Sequence, residues 1–379
     1  MDFELPGEDD SQRLSIREWF LDHPSPTGQE LAEAGFVVPH WPKPWGIDAN
    51  PVTQIIIDQE IRRARVNRPN NPIGIGWAGP TILSAGTQEQ KDRYLFPIIS
   101  GQEIWCQLFS EPQAGSDLAS LETRAVADGD EFIINGQKIW TTYGHEAQFG
   151  ILIARTNSDV PRQEGITYFI CPMDSPGITV TPIVDMTGLH AFNQVFLDNV
   201  RLPRENVVGE VNDGWRLAKV TLANERVSLS TEGAIWGSGP TIYDVVRLAQ
   251  DHGGISDKIM RQRIAQAYTR AEILRLIRLR TVTAAIKGVA PGPESSIRKV
   301  MSDEHGQEVM GIAKDLSGVA GMLNASLPLE YSGIQDDQAN ALMWGFCYLF
   351  TPALTIGGGT AQVQRNIIAE KVLGLPKDQ

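Results

Sequence analysis

Cysteine is scarce in this sequence, which argues against a disulfide-rich protein and against a cysteine-ligated metal site. The 379 residues include 3 cysteines, and Cys106, Cys171 and Cys347 lie far apart with no CxxC or Cys/His spacing. The pattern excludes a disulfide framework and is not typical of a metal site. It predicts buried, apolar cysteines in a reducing compartment.

Basic residues are scarce relative to acidic ones. The formal net charge is -13 at pH 7, whereas nucleic-acid binding requires a basic surface. We therefore expect no nucleic-acid partner. A cluster of arginines on one predicted helix could still meet the phosphates of a small molecule, or it could be a solvated helix face with acidic neighbours. The cluster comprises Arg261, Arg263, Arg270, Arg275, Arg278 and Arg280.

Long uninterrupted apolar runs are also missing. The N-terminus, MDFELPGEDD, is acidic and lacks the apolar run of a secretory signal. Residues 341–350, ALMWGFCYLF, are strongly apolar, but Pro352 and the glycines at 357–359 interrupt the segment. The unbroken part is about half of the ~20 residues that a membrane span needs. We expect a buried helix at a domain or subunit interface, no membrane association and a cytoplasmic protein.

The chain changes character twice along its length. With 42% hydrophobic and 21% charged residues, it is typical of a globular protein of two or three domains. The patterns predict an N-terminal helical domain at residues 1–104, a middle antiparallel β-domain at 105–215 and a C-terminal helical bundle at 216–379, an α+β fold. Predicted helices include 11–20, 52–65, 87–99 and 258–287, the third with Thr87 as its cap and Gln90 three residues on. Predicted strands are 104–109, 131–134, 150–154, 167–171, 179–183 and 195–197.

Two motifs are the most informative part of the sequence. Residues 107–120, QLFSEPQAGSDLAS, continue a strand and break at Glu111-Pro112 into a loop of small residues. Residues 135–142, NGQKIWTT, begin with a predicted turn at Asn135-Gly136 and return as a strand that ends after Trp140. Together they indicate a hydroxyl-rich surface beside one tryptophan, suited to a flat heterocycle. The alternative is an ordinary turn beside a core tryptophan.

These motifs also carry a resemblance. SEPQAGSD and KIWTT resemble the two flavin-side signatures of the acyl-CoA dehydrogenase family, and the stretches at 31–46, 196–215 and 357–370 resemble it in the same order and spacing. The resemblance implies the acyl-CoA dehydrogenase-like fold, FAD as cofactor and dehydrogenation of an acyl-CoA thioester to the 2,3-enoyl-CoA. It places Trp140 near the isoalloxazine, Thr142 near its reactive nitrogen and Ser110 at its pyrimidine edge.

The same resemblance assigns the binding residues. The implied FAD-binding residues are Gln107, Phe109, Ser110, Gly115, Ser116, Trp140, Thr141, Thr142, Thr360 and Gln362. The implied substrate-binding residues are Ser116, Arg226 and Gly358.

The catalytic base departs from the usual family pattern. Most members carry a glutamate in a Tyr-Glu-Gly-Thr stretch, where this chain has GGGT at residues 357–360. A minority of the family places it on an earlier helix in a Glu-Arg pair, and Glu225-Arg226 matches that position. We therefore predict Glu225 as the base, against the alternative of a solvated helix carboxylate. Gly358 would leave space for a branched, ring-bearing or steroid-derived acyl group, or would simply form a tight start to the last helix.

The family's phosphate-contacting motifs are not intact in this chain. Bacterial relatives that act on steroid side chains share these departures, and some are heterotetramers of unlike subunits. The resemblance thus implies a homotetramer or a heterotetramer with an unlike family subunit, and an electron-transfer flavoprotein as electron acceptor. Two alternatives remain, an acyl-CoA oxidase and a non-catalytic subunit that completes a partner's flavin site.

Overall fold

The computed structural model describes residues 6–228, 239–286, 292–322 and 337–377. These residues fall into two compact units, one of Met1–Ile183 with Ala191–Asn224, the other of Val184–His190 with Glu225–Gln379. The first unit begins with the helices α1 (Ser11–Asp22), α2 (Gly28–Glu33), α3 (Pro51–Ala64), α4 (Gly79–Ala85) and α5 (Gln88–Ser100). Its strands are β1 (Trp105–Leu108), β2 (Arg124–Asp128), β3 (Glu131–Thr142), β4 (Phe149–Arg155), β5 (Ile166–Pro172), β6 (Ile178–Ile183) and β7 (Phe192–Pro203).

Helix α5 starts at the predicted cap. The Oγ1 atom of Thr87 accepts a bond from the Gln90 amide at 3.2 Å, and the Gln90 side chain accepts the Thr87 amide at 3.1 Å. This reciprocal pair satisfies two of the amides that a helix N-terminus leaves unbonded. The side-chain nitrogen Nε2 of Gln90 also donates to the carbonyls of Glu205 and Val207, at 2.7 and 2.9 Å. One side chain therefore starts the helix and fastens the segment that follows β7.

The seven strands form one sheet in the order β1-β4-β2-β3-β7-β6, with β5 paired to β4. The β3–β7, β6–β7, β2–β3 and β4–β5 pairs are antiparallel, in keeping with the predicted antiparallel domain. Strand β1 runs parallel to β4, which the sequence analysis did not anticipate. Strand β2 was missed because Ala125 is its one buried residue, so no alternation marks it.

The central strands are covered on both faces. Ile151 and Tyr168 pack into a core shared with the N-terminal helices, while Leu152 and Phe169 pack into a second core on the other face of the sheet. Burial on both faces explains why β4 and β5 are continuously apolar rather than alternating. The first core also includes Leu217 at the start of helix α6 (Gly214–Ser228).

The second unit is helical. Its described helices are α7 (Ile242–Asp251), α8 (Lys258–Ile286), α9 (Ser295–Leu316), α10 (Asp337–Phe350) and α11 (Ala361–Ile367). Helix α10 buries Trp344, Phe346 and Cys347, in agreement with the prediction of a buried helix. No helix in the part of the chain that the structure describes has the length and apolar character needed to span a bilayer. The predicted fold class is confirmed.

Candidate functional site

The two sequence motifs lie side by side in the first unit. The Ile139 amide of β3 donates to the carbonyl of Ser110 at 2.9 Å, and the Lys138 ammonium donates to the carbonyl of Phe109 at 3.1 Å. The end of β1 and its following loop are therefore bonded directly to β3. The predicted turn at Asn135-Gly136 is wrong, because β3 continues through it with a shift of register between Ile134 and Gly136.

A buried ion pair joins the motifs. The ammonium of Lys138 lies 2.8 Å from a carboxylate oxygen of Glu111, and both side chains are almost fully buried. Glu111 also accepts the amides of Glu122 at 2.6 Å and Thr123 at 3.0 Å. Burial lowers the pKa of Lys138 to about 8, against the attraction of Glu111. Burial alone would raise the pKa of Glu111, but Lys138 and the hydrogen bonds outweigh it and lower that pKa.

Trp140 has an unusual backbone and an exposed ring. Its φ angle is 60°, in the left-handed region that bulky residues rarely occupy. It falls within the second register shift of β3, between Lys138 and Thr141. The side chain is 57% exposed and meets Phe192 edge to face, with the ring centroids 6.1 Å apart. The alternative of a core tryptophan is therefore wrong, since the strand presents this ring to the surface.

The two threonines after Trp140 have different settings. Thr141 is fully buried, and its hydroxyl has no hydrogen-bond partner among the described residues. Its carbonyl accepts the side-chain amide of Asn193, at 3.0 Å. Asn193 is also fully buried, and its own amide oxygen has no partner in the described part of the chain. Thr142 is half-buried and so more accessible than Thr141.

The loop after β1 is open at its middle and held at its end. Gly115 and Ser116 are exposed, and a Cβ added at Gly115 would meet nothing within 4 Å. The guanidinium of Arg155 donates to the carbonyls of Ala119 at 2.7 Å and Leu121 at 3.1 Å, which fixes the loop's far end. A ligand could approach the loop backbone at Gly115 without steric hindrance.

The remaining predicted residues, on β1 and directly after it, contribute differently. Phe109 is buried and packs against Tyr168, so its contact with a cofactor would come from its main chain. Gln107 is half-buried on β1, opposite Ile151. Together with the exposed Trp140 and the half-buried Ser110 and Thr142, this surface fits a planar, hydrogen-bonding group such as a flavin.

In the second unit, the glycine segment leads into the last helix. Gly358 and Gly359 have φ angles of 68° and 85°, a conformation suited to glycine. Thr360 is the N-cap of α11, its hydroxyl accepting the Val363 amide at 3.2 Å. Gln362 is exposed on the first turn of α11.

Glu225 lies on the buried face of α6. It is 6% exposed and has an interaction partner. The structure therefore does not support the alternative of a solvated helix carboxylate. Thr221, one turn earlier on the same face, joins a buried hydroxyl network with Thr81 at 2.8 Å and Tyr168 at 3.0 Å. The side chain of Arg226 lies outside the described residues.

Three arginines of the cluster on α8 form ion pairs with acidic neighbours. Arg263 pairs with Asp315 and Arg275 with Glu272, each at 2.8 Å. Arg270 pairs with Glu308. For these three arginines, the structure favours the alternative of a solvated helix face over a phosphate-binding cluster.

The sequence analysis missed the residues that hold the site in shape. Lys138 and Glu111 lie inside the two motifs, and a charged residue flanked by strand residues is the signal that could have identified them. Asn193 is outside every quoted motif, and its partner is close only through the β3–β7 pairing.

Comparisons with known proteins match three domain families in order. They are the N-terminal, middle and C-terminal domains of acyl-CoA dehydrogenase, at residues 12–102, 106–200 and 212–373. Acyl-CoA dehydrogenase FadE34 of Mycobacterium tuberculosis is 41% identical over 92% of this chain, which spans 46% of that relative's length. Acyl-CoA dehydrogenase IpdE1 of the same organism is 37% identical over 98% of the chain and 91% of its own length.

Two solved structures are similar over the whole chain. The Tcur3481-Tcur3483 steroid ACAD has a TM-score of 0.80 and 29% identity, covering 100% of both chains. The ChsE4-ChsE5 complex from Mycobacterium tuberculosis has a TM-score of 0.79 and 29% identity, also covering 100% of both. With three matching domains and these relatives, the chain belongs to the acyl-CoA dehydrogenase family of enzymes.

Proposed function

We propose that this protein catalyses the FAD-dependent α,β-dehydrogenation of an acyl-CoA thioester to the 2,3-enoyl-CoA, with Glu225 as the base. The observation that carries the proposal is the burial of Glu225 in a chain whose usual family position for the base is Gly358. Glutamate is rarely buried in proteins, so the burial of Glu225 on α6 supports a chemical role.

Glu225 would take the α-proton of the thioester. That proton is weakly acidic, so the site must also stabilise negative charge that develops at the thioester oxygen. When bound, FAD supplies the acceptor for the hydride that leaves the β-carbon. The role of this chain's residues is to bind and orient the thioester so that its α-proton meets the carboxylate.

The flavin would bind on the surface of β3 and the loop after β1. Trp140, exposed and held in the left-handed region, would stack near the ring system. Thr142 and Ser110, both half-buried, would bond its polar edge, and the loop at Gly115 and Ser116 would run along it. Thr360 and Gln362 are further proposed cofactor contacts.

The substrate class is the finer part of the proposal. Glycine at 358 adds no side chain, which supports a branched, ring-bearing or steroid-derived acyl group, with Ser116 and Arg226 as further contacts. The steroid ACAD among the similar structures is in keeping with this choice. We also propose assembly with an unlike family subunit, supported by the paired names of both structural relatives, and an electron-transfer flavoprotein as acceptor.

Glu225→Gln tests the role of the base. The variant keeps the shape of the side chain but cannot take a proton, so we expect flavin to remain bound and turnover to fall by about 100-fold or more. The matched control is Glu210→Gln, which changes an exposed glutamate just before α6. Rapid-mixing measurement of flavin bleaching by a panel of acyl-CoA thioesters gives the rate. Near-normal bleaching in Glu225→Gln would refute the assignment.

A further inference from the structure

The three glycines at 357–359 are held by two buried side chains. The carbonyl of Gly357 accepts the Lys299 ammonium at 3.0 Å. The carbonyls of Gly358 and Gly359 accept the side-chain amide of Gln364, at 3.2 and 3.4 Å. Three consecutive glycines would otherwise be the most mobile backbone a chain can have. Here every carbonyl of the run is bonded to a side chain.

The Lys299 ammonium uses all of its hydrogen-bond donors in this part of the structure. It is completely buried on α9, and it donates to Asp303 at 2.6 Å, to the carbonyl of Leu354 at 3.1 Å and to that of Gly357. An ammonium has three donors, and these contacts use all of them. Because Asp303 is also buried and balances its charge, Lys299 is a fixed anchor and not a free cation.

Gln364 supplies the second anchor from α11. It is completely buried, and its oxygen has no hydrogen-bond partner among the described residues. The opposite amide orientation would place that oxygen against two carbonyl oxygens, so the donor assignment follows from the contacts. A Cβ on Gly359 would approach the Gln364 nitrogen to 2.6 Å, and the φ angle of 85° also favours glycine there.

We propose that Lys299 and Gln364 are positioning residues that determine acyl-group specificity by holding residues 357–359 as a rigid wall without side chains. Without these hydrogen bonds, the glycine backbone could move into the volume that the absent side chains leave empty. With them, that volume stays open before a substrate binds. The proposal deepens the proposed function, since it rests on Gly358 facing the acyl group. Lys299 and Gln364 belong neither to the flavin-binding surface nor to the proposed catalytic base.

Gln364→Leu tests the proposal because leucine has a similar volume but no donor. We expect the affinity for a ring-bearing acyl-CoA to fall about tenfold, the effect of one or two lost hydrogen bonds. The affinity for a straight-chain acyl-CoA of equal carbon number should change by less than about threefold. Amide exchange across residues 357–363 should become faster. The control, Asn366→Leu, removes an exposed carboxamide from the same helix and should change none of these values.

Equal losses for both thioesters, or unchanged amide exchange, would overturn the proposal. Affinities are measured by calorimetry on the flavin-loaded protein in the Glu225→Gln background, so turnover does not enter. If the wild-type protein oxidised no thioester, the dehydrogenase assignment would fail, while the ratio of affinities would still decide the role of Gln364. Should Gln364→Leu fail to fold, Gln364→Met repeats the test, since methionine has a similar length, adapts to irregular space and has no donor.

Discussion

Trp140 combines a strained backbone with an exposed aromatic ring. A left-handed conformation costs a bulky residue about 1–3 kcal/mol, and exposure of the ring recovers little burial energy in return. Such a residue persists only where its surroundings impose the geometry, and here Lys138 and Thr141 flank it in the register shift of β3. The strained backbone and the exposed ring together favour a ligand that packs against the Trp140 side chain.

At the scale of single residues, the sequence indicated candidate functional residues more readily than the residues that hold them in place. Trp140 and Glu225 stood out because their residue types have chemical meaning in the motifs that contain them. Lys299 and Asn193 did not, since the significance of each depends on partners far away in the sequence. Hydrogen bonds to distant carbonyls leave no local pattern.

Replacing Lys138 by methionine should affect stability and flavin retention together. Methionine leaves the buried Glu111 without its counter-charge, and removal of one partner of a buried pair costs about 3–5 kcal/mol. Because the loop after β1 is bonded through this pair, flavin affinity should also fall. Chemical denaturation of the flavin-free protein and titration with FAD would measure both effects.

The Lys138→Met experiment has two controls. Lys258→Met removes an exposed lysine at the start of α8 and should be neutral in stability. Adding Glu111→Gln to Lys138→Met removes the unpaired charge and should recover part of the stability. A Lys138→Met protein as stable as the wild type would contradict the importance of the pair.

At the scale of elements, strong local signals were predicted correctly. The box that Thr87 and Gln90 form at the start of α5 was predicted from residue spacing alone, and α8 (Lys258–Ile286) matches its predicted span. The turn at Asn135-Gly136 failed because the pairing of β3 with β7 overrides the local preference of an Asn-Gly pair. The parallel β1–β4 pair could not be predicted, since no adjacent residues record it.

Helix α9 carries a buried histidine that should make stability depend on pH. Burial lowers the pKa of His305 to about 4, and the charge of Arg270 adds to this. As the pH falls from about 6.5 to 4, the unfolded chain binds a proton that the folded protein resists. His305 should therefore reduce the unfolding free energy by up to ~3 kcal/mol over this interval, with no effect above it.

His305→Leu isolates this contribution. The difference in unfolding free energy between wild type and variant should change across pH 6.5 to 4, as measured by denaturant unfolding at a series of pH values. His252→Leu, at an exposed histidine beyond α7, is the matched control and should run parallel to the wild type. A constant difference between wild type and His305→Leu would contradict the assignment.

At the scale of the whole molecule, the family domain matches appear in the chain in the order N-terminal, middle and C-terminal. Composition and alternating patterns predicted the helical, β and helical succession, because those signals extend over many residues. Features that arise from assembly have no such signal.

The purified chain should bind FAD without a partner, since most of the proposed flavin contacts lie on β3 and the loop after β1, within one unit. We expect a visible flavin absorbance band and about one flavin per chain in a titration, following from one such surface per chain. Trp140→Ala should weaken the band by loosening the flavin. A colourless protein that turns yellow only with an unlike subunit would favour the shared-site alternative instead.

The double role of Gln90 also bears on how the chain folds during synthesis. Its side chain needs the carbonyls of Glu205 and Val207, which lie 115 and 117 residues further on. At roughly 5–20 residues per second, a ribosome takes about 6–23 s to deliver them. During that interval the N-terminal helices lack both the hydrogen bonds of Gln90 and the apolar surface of α6. We therefore expect the nascent chain to depend on chaperones until residues near 220 emerge.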